Sequence, residues 1–311
     1  MKQNSIFPYL EVTFTVIVWG ASFIATKIAL REIAPVTVVW LRFAMGVAVL
    51  GLAVVARRQF AWPNWRQLGY FALLGFLGIT FHQWLQSTGL VTAQASTTAW
   101  IVASTPVFIA ILGWIFLKEK LGRLRIAGII LAAAGVLLVV SNGDIAALAE
   151  GDFGTEGDYL ILISALNWAV FSVISRSGLQ RNPATRMMFY VMVLGWLFSS
   201  LLLFGGPGLG EIGLLSPRGW LAVAFLGIAC SGLAYIAWYD ALQALPAAQV
   251  GAFLYVEPLV AVIVAAVILS EPLLWVSLIG GAIILLGVWL VNKPIMNQAV
   301  TTRPIVNVED A

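Results

Sequence analysis

The chain has 311 residues, 61% hydrophobic and 10% charged, with a mean hydropathy of +0.98 and a net charge of +3. A soluble protein carries about 25% charged residues, so this is the composition of an integral membrane protein, and nucleic acid is excluded as a partner. One cysteine, Cys230, and one histidine, His82, exclude a disulfide framework and a multi-cysteine metal site; no metal or cofactor is expected.

Apolar runs long enough to cross roughly 30 Å of hydrocarbon predict ten helices, over 9–30, 35–56, 67–87, 92–117, 123–141, 158–178, 184–204, 219–240, 247–269 and 273–292. After about eight residues the chain enters the first of them without an A-x-A-like cleavage site, so no cleavable leader is expected. Residues 1–292 read as a single membrane domain and 293–311 as a cytoplasmic tail.

Along the chain, the first span carries Thr15, Trp19, Ser22 and Thr26 on one helix face, with Lys27 near its end. Polar groups on one stripe of a membrane helix face either a water-filled cavity or a packed neighbour; the mid-span tryptophan favours the cavity. Arg42 lies deep in the second span, where it either pairs with a carboxylate or holds the carboxylate of a substrate. The third span places His82 and Gln86 one turn apart. A hydrogen bond within the cavity is the favoured role for His82, ahead of proton coupling. The fourth span offers Thr97, Trp100, Ile101, Ser104 and Thr105 before a helix-breaking Pro106.

The sixth span repeats the first stripe as Ser164, Trp168, Phe171 and Ser175, followed by Arg176. Lys27 and Arg176 sit near span ends, where long stems reach water. The eighth span carries Ser231, Tyr235 and Tyr239 at turn spacing. In the ninth, Gln249, Phe253 and Glu257 follow one another every four residues, and Pro258 interrupts the helix. Pro258 has no N–H for the Leu254 carbonyl, and broken backbone at that depth survives only inside protein or beside a cavity. A central charge costs roughly 2.5–3.5 kcal/mol on insertion scales. Glu257 is therefore expected at the cavity, meeting either a substrate ammonium or a structural partner. Trp62, Trp65, Trp220 and Trp275 suit an interfacial belt.

Basic residues set the orientation. Lys2, Arg57, Arg58, Arg66, Lys118, Lys120, Arg123, Arg125, Arg181, Arg186, Lys293 and Arg303 fall on one side, against Arg31 and Arg218 on the other. By the positive-inside rule both termini are cytoplasmic, and loop 142–157, with Asp144, Glu150, Asp152 and Glu156, is outside.

The sequence also repeats. Pro106, Glu119, Gly128 and Gly135 recur as Pro258, Glu271, Gly280 and Gly287 at a shift of 152. FLGI at 76–79, Trp19 and Lys27 recur as FLGI at 225–228, Trp168 and Arg176 at a shift of 149. Three residues inserted near the eighth span account for the change. Five spans per half, about 9–141 and 158–292, make the second half an inverted copy of the first. Such repeats commonly enclose a midplane site and expose it to each side in turn. Glu119 and Glu271 open the last helix of each half, where a carboxylate complements the helix dipole.

This ordered set resembles the drug/metabolite transporter (DMT) superfamily in its EamA-type exporter branch, over about residues 9–292. The resemblance implies export of small metabolites across the cell inner membrane and, in the YddG-like branch, of aromatic and other neutral L-amino acids. Trp19, Ser22, His82, Gln86, Trp100, Thr105, Trp168, Phe171, Tyr235, Tyr239, Phe253 and Glu257 are the expected substrate-binding residues. The partners expected are the lipid bilayer and a small-molecule amino acid, with the chain acting as a monomer. An organic cation held by an aromatic cage and Glu257 is the alternative. An intramembrane enzyme is disfavoured: Tyr239-Asp240 lacks a companion GxGD, and no G-x-S-x-G accompanies His82.

Overall fold

The computed structural model describes residues 6–117, 122–144, 154–206 and 208–292. Lys2, Lys118, Glu119, Lys120, most of loop 142–157, Lys293, Arg303 and the tail lie outside the described residues. Among the described residues the fold is entirely helical. Ten helices are long and apolar enough to span a membrane: α1 (Phe7–Ala29), α2 (Pro35–Ala56), α3 (Trp65–Thr92), α4 (Ala95–Phe116), α5 (Arg123–Val140), α6 (Glu156–Leu179), α7 (Ala184–Phe204), α8 (Pro217–Ala244), α9 (Gln249–Leu269) and α10 (Trp275–Asn292).

α3 and α8 are longer than expected, and both contain a π-helical stretch, Phe76–Phe81 and Phe225–Leu233. Each stretch begins on the repeated FLGI. The first is six residues long and the second nine. The three-residue difference is the point at which the repeat shift changes from 149 to 152. Downstream of it, Gln83 and Gln86 correspond to Tyr235 and Trp238.

The halves pack as an inverted pair. α1 lies against α8 and α9 as α6 lies against α3 and α4, and α2 packs on α7. The repeated glycines of α5 and α10 meet across the pseudo-two-fold axis. A Cβ on Gly128 would come within 2.6 Å of the Gly287 carbonyl, and one on Gly135 within 2.8 Å of the Gly280 carbonyl. Small residues thus bring two membrane helices into backbone contact. Apolar side chains such as Leu52, Leu201, Ile263 and Val267 point outward, as a lipid-facing surface requires.

The two ends of the bundle differ in charge. One carries Arg57, Arg58, Arg66, Arg123, Arg125, Arg181 and Arg186; the other carries Glu32, Asp144, Glu156, Asp158, Glu211 and Glu271. At the acidic end, glutamates occupy helix N-termini of the opposite repeat, whose orphan N–H groups attract a carboxylate. Glu32 accepts the Ser216 hydroxyl and N–H at 2.7 Å each, at the start of α8. Those bonds, the hydroxyl's first, hold its carboxyl below the usual range. Glu211 accepts the Ala34 N–H at 2.9 Å and the Thr37 hydroxyl at 2.6 Å, at the start of α2. Glu271 accepts the Ala95 and Ser96 N–H groups at 2.9 and 3.1 Å and the Ser96 hydroxyl at 2.7 Å, at the start of α4. It therefore caps α4, not the helix that follows it in sequence.

Lys27 corrects another expectation. Its ammonium donates to the Ala93 carbonyl at 2.6 Å and lies 3.8 Å from Glu271, so it is tied into the bundle end and does not snorkel. Arg176 is exposed. At the basic end Arg57 grips Asp240 with two hydrogen bonds of 2.7 and 2.6 Å.

Candidate substrate cavity

The proline breaks build the floor of the site. In α4 the helix stops at Ala103 and restarts at Thr105. The Thr105 hydroxyl donates at 2.6 Å to the Val102 carbonyl, the acceptor that Pro106 leaves without its helical N–H. The Ser104 hydroxyl adds a second bond, also 2.6 Å, to the Ile101 carbonyl, which already accepts the Ser104 N–H at 3.0 Å. In α9 residues Leu254–Val256 tighten into a 3-10 turn, and the Glu257 N–H takes the Leu254 carbonyl that Pro258 strands. A side-chain hydroxyl repairs one break; backbone repairs the other.

Between these breaks lies a cavity of about 370 Å³, walled by all helices except α5 and α7 among the described residues. Its lining follows the repeat: Ala99, Val102, Ala103, Thr105 and Pro106 face it from α4, and Gly251, Leu254, Tyr255, Glu257 and Pro258 from α9. These pairs share the 152-residue shift. The lining reaches Leu179 in α6, Leu242 in α8 and Asn292 in α10, at the basic end.

Two aromatic groups form the walls. Trp19 donates its indole N–H to the Cys230 carbonyl at 3.2 Å, and its ring lies 5.8 Å from Tyr235 and 5.2 Å from Trp238. Tyr239 continues that wall, 6.5 Å from Tyr235. Opposite, Trp168 stacks between His82 and Phe171, with 4.8 Å between centroids on each side. His82 Nδ1 is 3.1 Å from the Ser164 carbonyl. A carbonyl only accepts, so Nδ1 is the donor in this contact.

Two charged side chains reach the same space. Glu257 makes no side-chain hydrogen bond and no salt bridge among the described residues. Arg42, 5% exposed, donates Nε–H to the Ser231 hydroxyl at 2.7 Å and Nη1–H to Gln83 Oε1 at 2.9 Å.

Of the residues expected to bind substrate, Trp19, Ser22, His82, Gln86, Thr105, Trp168, Phe171, Tyr235, Tyr239 and Glu257 are at the cavity, with Pro106 and Pro258. Trp100 and Phe253 are not. Trp100 is 1% exposed, and its indole fills a slot against Gly281 in α10 where any Cβ would collide. Phe253 packs with Val12, Ala241 and Val250, its ring 6.4 Å from Tyr9. A four-residue spacing puts it beside Glu257 only in an unbroken α-helix; the intervening 3-10 turn rotates it away. The stripe residues Thr15, Thr26 and Ser164 do not line the cavity; their hydroxyls donate to backbone carbonyls. Gln83 and Trp238 line the cavity without having been singled out. The repeat itself carried the signal, since they correspond to Tyr235 and Gln86.

Ten spanning helices in inverted halves around a central cavity define a multi-pass membrane transporter. The EamA-like transporter family matches residues 7–141 and again 155–293, and the chain belongs to that family. It is 29% identical to an uncharacterized transporter of Archaeoglobus fulgidus over 91% of this chain and 96% of that one. It is 28% identical to a probable terminal-alkyne amino-acid exporter of Streptantibioticus cattleyicolor (91% and 92%). It is also 28% identical to a probable amino-acid metabolite efflux pump of Salmonella typhimurium (88% and 91%). A solved crystal structure shares the fold with a TM-score of 0.64 at 22% identity, over 91% of this chain and 95% of that one. The family and these named relatives are transporters, not enzymes.

Proposed function

We propose that this protein exports aromatic and other neutral L-amino acids across the cytoplasmic membrane by alternating access, as in the YddG-like branch. The observation that carries the reading is a cavity of about 370 Å³ between two aromatic walls, with the Glu257 carboxylate facing it unpartnered among the described residues. Trp19, Tyr235 and Tyr239 on one side and Trp168 and Phe171 on the other suit an apolar side chain, and Glu257 suits an ammonium group. One relative is a probable terminal-alkyne amino-acid exporter and another a probable amino-acid metabolite efflux pump, which supports the same substrate class. The basic end is the cytoplasmic one under the positive-inside rule. A cavity lined down to that end suits loading from the cytoplasm, with both termini inside and a monomer as the working unit.

A second reading, export of an organic cation, is favoured by the aromatic cage around a carboxylate. The test is uptake of labelled phenylalanine, threonine, methylviologen and glucose 6-phosphate into reconstituted proteoliposomes, against empty liposomes. Saturable phenylalanine or threonine uptake is the expected result. Movement of methylviologen alone overturns the amino-acid reading in favour of the cation.

A further inference from the structure

Arg42 poses a problem that the aromatic cavity does not solve. A guanidinium stays charged in proteins, and an isolated charge at membrane depth is costly unless it is paired or hydrated. Among the described residues the salt bridges are Lys27–Glu271 and Arg57–Asp240, both at the ends of the bundle. Arg42 therefore has two hydrogen-bond acceptors, Ser231 and Gln83, and no carboxylate. Of its five N–H donors, those two bonds use one on Nε and one on Nη1; Nη2 has no partner among the described residues. The side chain is 5% exposed, and what it reaches is the cavity.

The position of this charge relative to Glu257 is informative. Trp19 donates to the Cys230 carbonyl, and the next residue, Ser231, holds Arg42. Gly20, the neighbour of Trp19, is in close contact with the Glu257 backbone carbonyl. Both charges line the same cavity, Arg42 held by α8 beside the residue that Trp19 bonds and Glu257 on α9, whose backbone packs on Gly20. Neither is repeated: Val191 corresponds to Arg42 at the 149-residue shift, and Thr105 to Glu257 at the 152-residue shift. Each half contributes one charge, of opposite sign.

We propose that Arg42 is the anion-holding pole of the cavity, its open guanidinium edge receiving the carboxylate of an α-amino acid whose ammonium meets Glu257. This rests on the amino-acid reading and deepens it. The transporter selects a zwitterion and discriminates against an amine or a carboxylic acid of the same size. Ser231 and Gln83 fix the plane of the guanidinium, so little rotamer freedom is lost when the substrate arrives.

Binding of labelled phenylalanine to the purified full chain, competed by phenethylamine (no carboxylate) and 3-phenylpropionate (no ammonium), tests this. In the wild type each analogue is expected to compete about tenfold or more weakly, the scale of a lost charge-assisted hydrogen bond. Arg42→Gln should weaken phenylalanine about tenfold while phenethylamine changes less than about twofold. Glu257→Gln should spare 3-phenylpropionate instead. If phenethylamine matches phenylalanine in the wild type, the Arg42 assignment is overturned without recourse to any variant. A folded Arg42→Gln protein that weakens both ligands equally, or neither, also overturns it and leaves Arg42 a tie between α2, α3 and α8. Absence of phenylalanine binding, with methylviologen bound, overturns the amino-acid reading and this inference together.

Discussion

The fourth and ninth helices are the same device built twice with different parts. Both break at a proline, Pro106 and Pro258, and both present the same positions to the cavity. In α4 the Val102 carbonyl stranded by Pro106 is taken by the Thr105 hydroxyl, and the Ser104 hydroxyl adds a bond to Ile101. In α9 a 3-10 turn does the repair with backbone. That leaves residue 257 free to carry a carboxylate where α4 has a hydroxyl already committed to a carbonyl. Duplication supplied a symmetric container, and departures from symmetry gave it polarity.

The most severe way to break the comparison is to make α9 resemble α4. Glu257→Thr should lower phenylalanine transport at least about tenfold at equal membrane abundance, since a charge-assisted contact is lost. Initial rates in proteoliposomes measure it; unchanged rates would remove Glu257 from the site. Next comes a wall residue. Trp168→Ala should cripple transport while the protein stays folded and inserted. Trp62→Ala, at a tryptophan 83% exposed, should do little. Equal losses in the two would end the cavity assignment of Trp168.

A smaller effect separates the two breaks. Ser104→Ala removes a hydroxyl that α9 does without, because Val256 stands at its equivalent. A thermal melt should show a destabilisation of about 1 kcal/mol, the net worth of one such bond. The smallest effect concerns the acidic end. Hydrogen bonds from Ser216 hold the folded pKa of Glu32 below its ordinary 4.5. Its contribution to stability is therefore present above that value and lost as pH falls through the lower, folded one. Melting temperature should drop on acidification through this window, and by less in Glu32→Gln; identical profiles would show that the cap contributes nothing.

The architecture was legible because membrane burial writes it directly into composition and spacing. Ten apolar runs, the twin prolines and the 149- and 152-residue shifts are enough to specify inverted halves. The pairing of Lys27 with Glu271 was not legible, because neither residue signals a partner more than two hundred positions away. Phe253 misled for a local reason: periodicity assumes an uninterrupted helix, and Pro258 had already announced that α9 is not one. Trp100 misled because a place in the fourth span near Thr105 does not say which side of the helix it fills; Gly281 decides that from another helix. Arg42 stood as two alternatives in sequence, and the absence of a carboxylate among the described residues within salt-bridge reach removes the ion pair.

The three glutamates at the acidic end bear on how the chain is made. Glu211 and Glu271 serve the starts of α2 and α4, and Glu32 serves the start of α8. During synthesis the first five helices leave the ribosome with two N-termini whose caps have not yet been translated. The earlier half waits for residues 211 and 271, and the later half inherits Glu32 from a segment made long before. Neither half is a finished object by itself, so the duplicated segments mature as one interlocked body in the bilayer.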